Sequence, residues 1–344
     1  MATVFASPTA SGKLSRDDAA LYLERIHLPL SLLDAKPSVD LLRQLQSSHM
    51  VAVPFDSTWV HVPSWHDLDA PIELRGGETV QLGEQAFNRI VQLRRGGYCF
   101  VNNGTFASFM RYWDFRVSEC CAKVNANHRK DPDVDGVDWE PISHQVSIVD
   151  WEGSNGRYLV DVGFGSSSAY PMPLREGVEV PSIPSADVFN LTKHELGLPY
   201  TLSSLLPDQF PHWVVARRCL PVEPTAEKPF YWSPLYAFVV ESVSYRDFVV
   251  LNHYNSTHPD ATFSKMFVAT LLHPNGERTT LQYRDGMVDG QGRKAAKLAR
   301  TAAPDEGKRE EEMDVRWIEM RVGPIREVLE EVFAMRFPNA YAGN

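Results

Sequence analysis

The apolar residues of this chain change their spacing near Arg116, and that change limits the folds open to it. Before Arg116 they recur every three or four residues, which is typical of amphipathic helices. After it they alternate with polar residues or form short β-branched and aromatic runs, which are typical of strands. The first third of the chain is therefore predicted to be mainly helical, and the middle and late parts to be rich in strands. A length of 344 residues allows about two domains, or three small ones.

Four helices are predicted in the first third of the chain. The first begins after Ser15, a candidate N-cap, and the second begins at Ser38. The second ends before Pro54, because proline disfavours a helical conformation in the residue before it. Two more helices are predicted around residues 87–91 and 106–113. The segment before Ser15 is expected to be a frayed tail.

Strands are predicted for much of the rest. His144 opens an alternating run, and residues 158–162 alternate likewise after a glycine-containing turn, which indicates an antiparallel pair. Further strand-like runs occupy residues 213–216, 230–243, 248–251, 266–272 and 279–283. The charged, alanine-rich residues 294–312 are expected to form an exposed connection or a helix, and residues 325–333 a closing amphipathic helix.

Composition excludes several classes of function. There are 44 acidic and 34 basic residues, so the net charge of -10 argues against binding to nucleic acid or to anionic membranes. We expect no membrane span and no secretory signal, because no apolar run is long enough. The four cysteines show neither a disulfide framework nor metal-site spacing, so we expect no metal and a reducing, cytoplasmic setting.

Cys99 is the candidate nucleophile. It follows Gly96 and Gly97 and is predicted to lie at or near a helix N-terminus, where free N–H groups stabilise a thiolate. The glycines permit close backbone approaches that a side chain would block. A small buried apolar residue is the alternative interpretation of such a cysteine.

A nucleophilic cysteine needs a base, and His144 is the candidate among eleven histidines. It opens a strand whose predicted hairpin partner contains Asp161. An aspartate among apolar strand residues is costly to bury without a partner, and antiparallel neighbours could provide one. Alternatively, Asp161 caps the turn into Gly163.

Three blocks of the sequence resemble the arylamine N-acetyltransferase family, in that family's order. They are Arg95-Gly96-Gly97-Tyr98-Cys99 followed by Asn103, then His144 at a strand start, then Asp161-Val162-Gly163-Phe164-Gly165. Secondary blocks at residues 22–26, 49–56 and 252–263 are also similar. The resemblance spans about residues 19–265, and the insertions and long C-terminal part are similar to fungal members.

The resemblance implies an α+β fold of three units with a cysteine-protease-like core. These are an N-terminal helical bundle carrying the nucleophile (1–115), an antiparallel β-barrel carrying the histidine and aspartate (116–225), and an α/β lid with a C-terminal helix (226–344). It also implies ping-pong acyl transfer from acyl-CoA, through acyl-Cys99, to an aromatic amine, hydrazine or N-hydroxyarylamine. Acyl-CoA is then a co-substrate, and no permanently bound cofactor is expected.

The same resemblance assigns substrate contacts. The aromatic residues expected to line the acceptor pocket are Phe55 and Phe164, for which core packing is the alternative. The residues in the block that contacts CoA are Tyr254, Thr262 and Phe263.

Supporting residues and departures from the family pattern complete the prediction. Arg95 is expected to pair with Asp56, with a generic surface pair as the alternative, and Asn103 is expected to support the site. Val101 stands where the family usually has Glu or Gln, so a polar support is missing or replaced. The stretch 140–143 lacks the usual glycine near the expected CoA entrance. Acetyl is the default acyl group, and malonyl or propionyl stays open.

Two other functions compete with acyl transfer. A Cys-His-Asp triad also hydrolyses amides or thioesters, although the papain-like Cys-Gly-Ser-Cys-Trp surroundings are absent. A non-enzymatic acyl-CoA-binding protein with a relic triad is the second alternative, and Val101 is its best argument.

Overall fold

The structure is a computed structural model that describes residues 12–337, except 129, 166–167, 184–186, 195, 197–210, 222 and 303–311. It confirms the α+β fold, with a helical bundle followed by two antiparallel sheets. Most of the predicted N-terminal tail lies outside the described residues. No helix in the described part of the chain is both long enough and apolar enough to cross a bilayer.

Four helices pack together at the start of the chain, as predicted. They are α1 Arg16–Arg25, α2 Val39–Ala52, α3 Glu84–Val91 and α4 Cys99–Tyr112. The side chains of Ser15 and Ser38 cap α1 and α2 by accepting backbone N–H bonds in the first turn. The two-residue strand β1, Phe55–Asp56, follows α2. The inward faces of the helices share one apolar core, so the start of α4 is held on a rigid support.

A nine-stranded antiparallel sheet follows the bundle. Its strands are β2 Arg116–Asn125, β3 Trp139–Asp150, β4 Tyr158–Val160, β5 Ser168–Ala169, β6 Met172–Pro173, β7 Val178–Ile183, β8 Val188–His194, β9 His212–Cys219 and β10 Tyr231–Ser242. The short helix α5, Pro132–Asp135, precedes β3. The spatial order is β5-β7-β8-β9-β10-β2-β3-β4-β6, and β6 contacts β7, so the sheet nearly closes into a barrel. The predicted pairing of β3 with β4 is confirmed, with Ser147 opposite Val160.

The second sheet pairs one early strand with four late strands. Its strands are β1 and then β11 Met266–Leu272, β12 Arg278–Arg284, β13 Ala295–Thr301 and β14 Glu312–Glu319, in that spatial order. Three helices also lie in this part of the chain: α6 Tyr245–Thr257, α7 Thr262–Lys265 and α8 Val322–Glu331. Helix α8 confirms the predicted closing helix. The strand β10 lies beyond the boundary predicted at residue 225 yet pairs with β2 and β9, and the division into three units stays a prediction.

Two element predictions were wrong. Residues 248–251 belong to α6, because Ser244 and Asp247 form a capping box and Phe248 and Asn252 are buried at helical spacing. Residues 295–301 form strand β13, because the segment gains backbone partners in both β12 and β14. The first error overlooked a local capping signal, whereas the second concerns a segment whose neighbouring strands decide its conformation.

We expect Ser244→Ala to lower the free energy of unfolding by about 1 kcal/mol, because it removes the side chain that caps α6. Urea denaturation of the two proteins measures the difference. Arg246→Ala, an exposed change in the same turn, is the control and should leave stability nearly unchanged. Equal stability of Ser244→Ala and wild type would contradict the role of the cap.

Candidate active site

Cys99 is the first residue of α4 and is 3% exposed. A Cβ on Gly96 would lie 1.5 Å from the carbonyl oxygen of Pro54, and one on Gly97 would lie 2.3 Å from the Cβ of Val101. Only glycine fits both places, so the turn packs against Pro54 and delivers Cys99 at the helix start. Val101 fills the space over Gly97, and this packing explains an apolar residue at that position.

His144 and Asp161 come together across the β3–β4 pair. The Nε2 of His144 lies 2.8 Å from the Oδ2 of Asp161, and both side chains are buried. Since a carboxylate only accepts, Nε2 carries the proton of this bond and Nδ1 is left for Cys99. The Cys99 thiol lies in the same cavity wall as the His144 ring and contributes to raising the pKa of that ring. The structure thus brings together all three predicted triad residues.

The Asp161 carboxylate has further donors. The Nδ2 of Asn103 donates to Oδ1 at 2.9 Å, and the backbone N–H of Gly163 donates to the same oxygen at 2.8 Å. Asn103 also accepts from the N–H of Val162 at 2.8 Å. Both interpretations of Asp161 are therefore correct, because it pairs with His144 and also closes the turn into Gly163.

The electrostatics of this pair favour the charged forms. Burial by itself lowers the pKa of His144, but the charge and hydrogen bond of Asp161, with a further contribution from Cys99, raise it to about 10. Burial opposes ionisation of Asp161 as well, yet His144, Asn103 and Gly163 together hold its pKa below the ordinary value. An imidazolium next to Cys99 is what a thiolate requires.

These residues open into a cavity of about 470 Å³ between the two sheets. Its wall includes all five predicted substrate residues, which are Phe55, Phe164, Tyr254, Thr262 and Phe263. The ring of Phe164 lies edge-on to His144 at 5.4 Å between centroids, and Phe55 lies 5.8 Å from Phe263. The aromatic end of the cavity adjoins the triad, while threonines of the five-stranded sheet line its other part. The described residues contain no cluster of three or more side chains placed to hold a metal ion.

The pairing predicted for Arg95 was wrong. The partner of Asp56 is Arg89, whose Nη2 lies 2.6 Å from Oδ2, and the Nε of Arg89 donates to the carbonyl of Gly96 at 2.6 Å. Arg95 instead donates to the carbonyl of Arg336 and lies over the ring of Phe337. Arg89 makes the bond because it lies on the buried face of α3. Asp56 still supports the turn before Cys99, through Arg89.

Sequence reasoning missed several site residues. The Nδ2 of Asn255 donates at 2.8 Å to the carbonyl of Ser143, and the Sγ of Cys99 lies 3.5 Å from the same oxygen. The ring of Tyr236 lies 5.0 Å from that of His144. Asn255 lies in a block similar to the family, which was a usable signal. The sequence around Tyr236 gave no such signal, because only the pairing of β10 with β2, and of β2 with β3, brings Tyr236 near His144.

We expect Gly163→Ala to displace the Asp161 loop, because the new Cβ would lie 2.6 Å from the Cα of Cys99 and 2.7 Å from the Nδ2 of Asn103. The melting temperature and the rate of Cys99 alkylation by iodoacetamide should both fall. Gly156→Ala, whose new Cβ meets nothing within 4 Å, is the matched control. A Gly163→Ala protein that reacts like wild type would show that the contact is not tight.

The stability provided by the His144–Asp161 pair should depend on pH. Because the pKa of His144 is raised from 6.5 to about 10, its contribution is complete below about pH 6.5 and is lost as the pH rises towards 10. The Asp161 contribution is lost instead as the pH falls below about 3.8. The difference in unfolding free energy between wild type and His144→Gln should therefore shrink from pH 6.5 to pH 10. A constant difference over that range would contradict the raised pKa.

The chain is similar in sequence to a known protein family and to several of its members. The sequence model of the N-acetyltransferase family matches residues 38–308. An arylamine N-acetyltransferase of Mycobacterium tuberculosis is 29% identical over 277 residues, which cover 80% of this chain and 81% of that protein. The N-malonyltransferase FDB2 of Fusarium pseudograminearum is 26% identical over 274 residues, covering 75% of this chain and 74% of that one.

A solved structure shares the fold. The arylamine N-acetyltransferase of Mycobacterium marinum in complex with CoA matches with a TM-score of 0.59 at 22% identity, over 91% of each chain. The family match covers most of the sequence, and the resemblance first noted in three short blocks is confirmed. This chain belongs to the arylamine N-acetyltransferase family.

Proposed function

We propose that the protein is an arylamine N-acyltransferase in which Cys99 carries the acyl group. The observation that carries the proposal is the hydrogen-bonded pair of His144 and Asp161, with Cys99 in the same cavity wall, at the aromatic end of the cavity. Family membership supports the same reaction, since the relatives are acyltransferases by name. The substrates are an acyl-CoA and an aromatic amine, hydrazine or N-hydroxyarylamine.

The first half-reaction loads the enzyme. His144 takes the proton of Cys99, and Asp161 fixes the ring tautomer and stabilises its positive charge. The thiolate attacks the thioester carbonyl, the C–S bond to CoA breaks, and His144 returns a proton to the CoA thiolate. Exchange between two thioesters is nearly balanced in energy, so positioning supplies most of the catalysis.

The second half-reaction transfers the acyl group. Arylamines are weak bases and are largely uncharged at neutral pH, so they present a lone pair to acyl-Cys99 directly. His144 accepts the proton that the amine loses, and Cys99 leaves as a thiolate. The buried position of Cys99 and the aromatic wall exclude water, which would otherwise hydrolyse the intermediate.

Residues around the cavity are assigned to the two substrates. Phe55 and Phe164 contact the aromatic acceptor, and Tyr254, Thr262 and Phe263 contact acyl-CoA. The relatives include both acetyl- and malonyl-transferring enzymes by name, so either acyl group is a candidate. A cytoplasmic location belongs to the proposal, because the reaction needs a reduced thiol and Cys99 is not part of a disulfide.

A hydrolase and a relic binding protein are the competing outcomes. Release of CoA at the same rate with and without an arylamine would favour hydrolysis. A Cys99 thiol that resists alkylation at neutral pH would favour the relic.

Brief mixing with a panel of acyl-CoA thioesters should add one acyl group to Cys99, and mass spectrometry of the protein then identifies the group. Cys99→Ala should acquire no mass and show no transfer. A wild-type protein left unmodified by every thioester would contradict the proposed function.

Asp161→Asn should fold but lose about 10³–10⁴-fold in kcat, because the amide favours the wrong ring tautomer and no longer stabilises the imidazolium. Steady-state rates of arylamine acylation measure the loss, and circular dichroism checks the fold. His144→Ala should be nearly inactive. A wild-type rate for Asp161→Asn would remove Asp161 from the triad.

A further inference from the structure

One side chain of the helical bundle binds both ends of the segment that carries the catalytic aspartate. This segment runs from Asp161, the residue after β4, to Ala169, the last residue of β5. The Nε2 of Gln46 donates to the carbonyl of Asp161 at 3.3 Å and to the carbonyl of Ala169 at 2.8 Å. Gln46 is 1% exposed, so both bonds are made away from solvent.

Helix α2 holds Gln46 in a fixed place. The helix is capped by Ser38 and packs through Leu42 and Leu45, both of which are fully buried. A side chain on a packed helix has little freedom, so its amide defines a fixed point for whatever it binds. The segment itself contains glycines and pairs over only two residues in β5. The positions of the two ends of this segment therefore depend on α2.

The segment supplies three contacts to the reaction centre. The carboxylate of Asp161 bonds His144, the backbone of Gly163 packs on the Cα of Cys99, and the ring of Phe164 lies on His144. The first of the two carbonyls that Gln46 binds belongs to Asp161 itself. A shift of that carbonyl moves the carboxylate relative to the imidazole ring.

We propose that Gln46 is a positioning residue for the reaction, acting through Asp161. The inference rests on the proposed function, because it concerns the same triad. Asn103 on α4 binds the side-chain carboxylate of Asp161. Gln46 on α2 binds the main-chain carbonyl of the same residue. Together the two amides fix both the carboxylate and the strand end that carries it.

The test replaces Gln46 with a residue of similar length that cannot donate. Gln46→Met should lower kcat/KM for acyl transfer about 10²-fold, the size of effect that a misplacement of about 1 Å produces. The weaker hold of Asp161 on His144 should also shift the pH–rate profile of Cys99 alkylation by iodoacetamide towards alkaline pH. The titratable groups that face the His144 ring, and therefore contribute to this pH dependence, are Cys99, Asp161 and Tyr236.

A matched control separates positioning from stability. Leu42→Val weakens the packing of the same helix one turn earlier and involves no hydrogen bond. It should lower the melting temperature but leave the alkylation profile at its wild-type position. Should Gln46→Met not fold, Gln46→Asn, which keeps the amide but shortens its reach, should show the same shift to a smaller extent.

Two outcomes would overturn the inference. One is a kcat/KM for the Gln46 variants within about twofold of wild type. The other is a loss that Leu42→Val reproduces while every alkylation profile stays in place, which would mean that Gln46 stabilises the fold alone. Alkylation needs neither substrate, so it tests Gln46 even if wild-type protein transfers no acyl group and the proposed function fails.

Discussion

The buried pair of His144 and Asp161 is the constraint on which the rest of the structure depends. Burying a charged imidazole and a carboxylate is costly unless both are paired and the remaining lone pairs are satisfied. The chain meets this condition with donors from three places: Asn103 on α4, the backbone of Gly163, and His144 on β3. The helical bundle and the nine-stranded sheet therefore have to pack against each other at this point.

Close backbone approach makes that packing possible. Gly96, Gly97 and Gly163 each occupy a place where a Cβ would overlap a neighbouring backbone or side-chain atom. The first two set the turn that starts α4 at Cys99, and the third lets the loop after Asp161 touch the same cysteine. The electrostatics of the site thus require three positions without side chains.

The cavity is a product of the two sheets rather than of either alone. The triad comes from α4, β3 and the end of β4, whereas Phe55 lies on β1 and Phe263 on α7. Because β1 pairs with β11, an early part of the chain and a late part meet beside Cys99. Under the proposed function, acyl donor and aromatic acceptor both reach Cys99 through this one cavity, as a two-step transfer through a covalent intermediate requires.

The sequence by itself predicted most of the helices and strands and the three residues proposed to react. Helix caps at Ser15 and Ser38, the glycine turn before Cys99, the alternation after His144 and an aspartate among apolar residues are all local signals. Only the tertiary structure decided the features that depend on contacts between segments distant in the chain. It selected Arg89 over Arg95 as the partner of Asp56, made a strand of residues 295–301, and placed Gln46 against the Asp161 loop. A hydrogen bond between residues more than a hundred positions apart leaves no periodic trace in the chain, because the distance it spans exists only after packing.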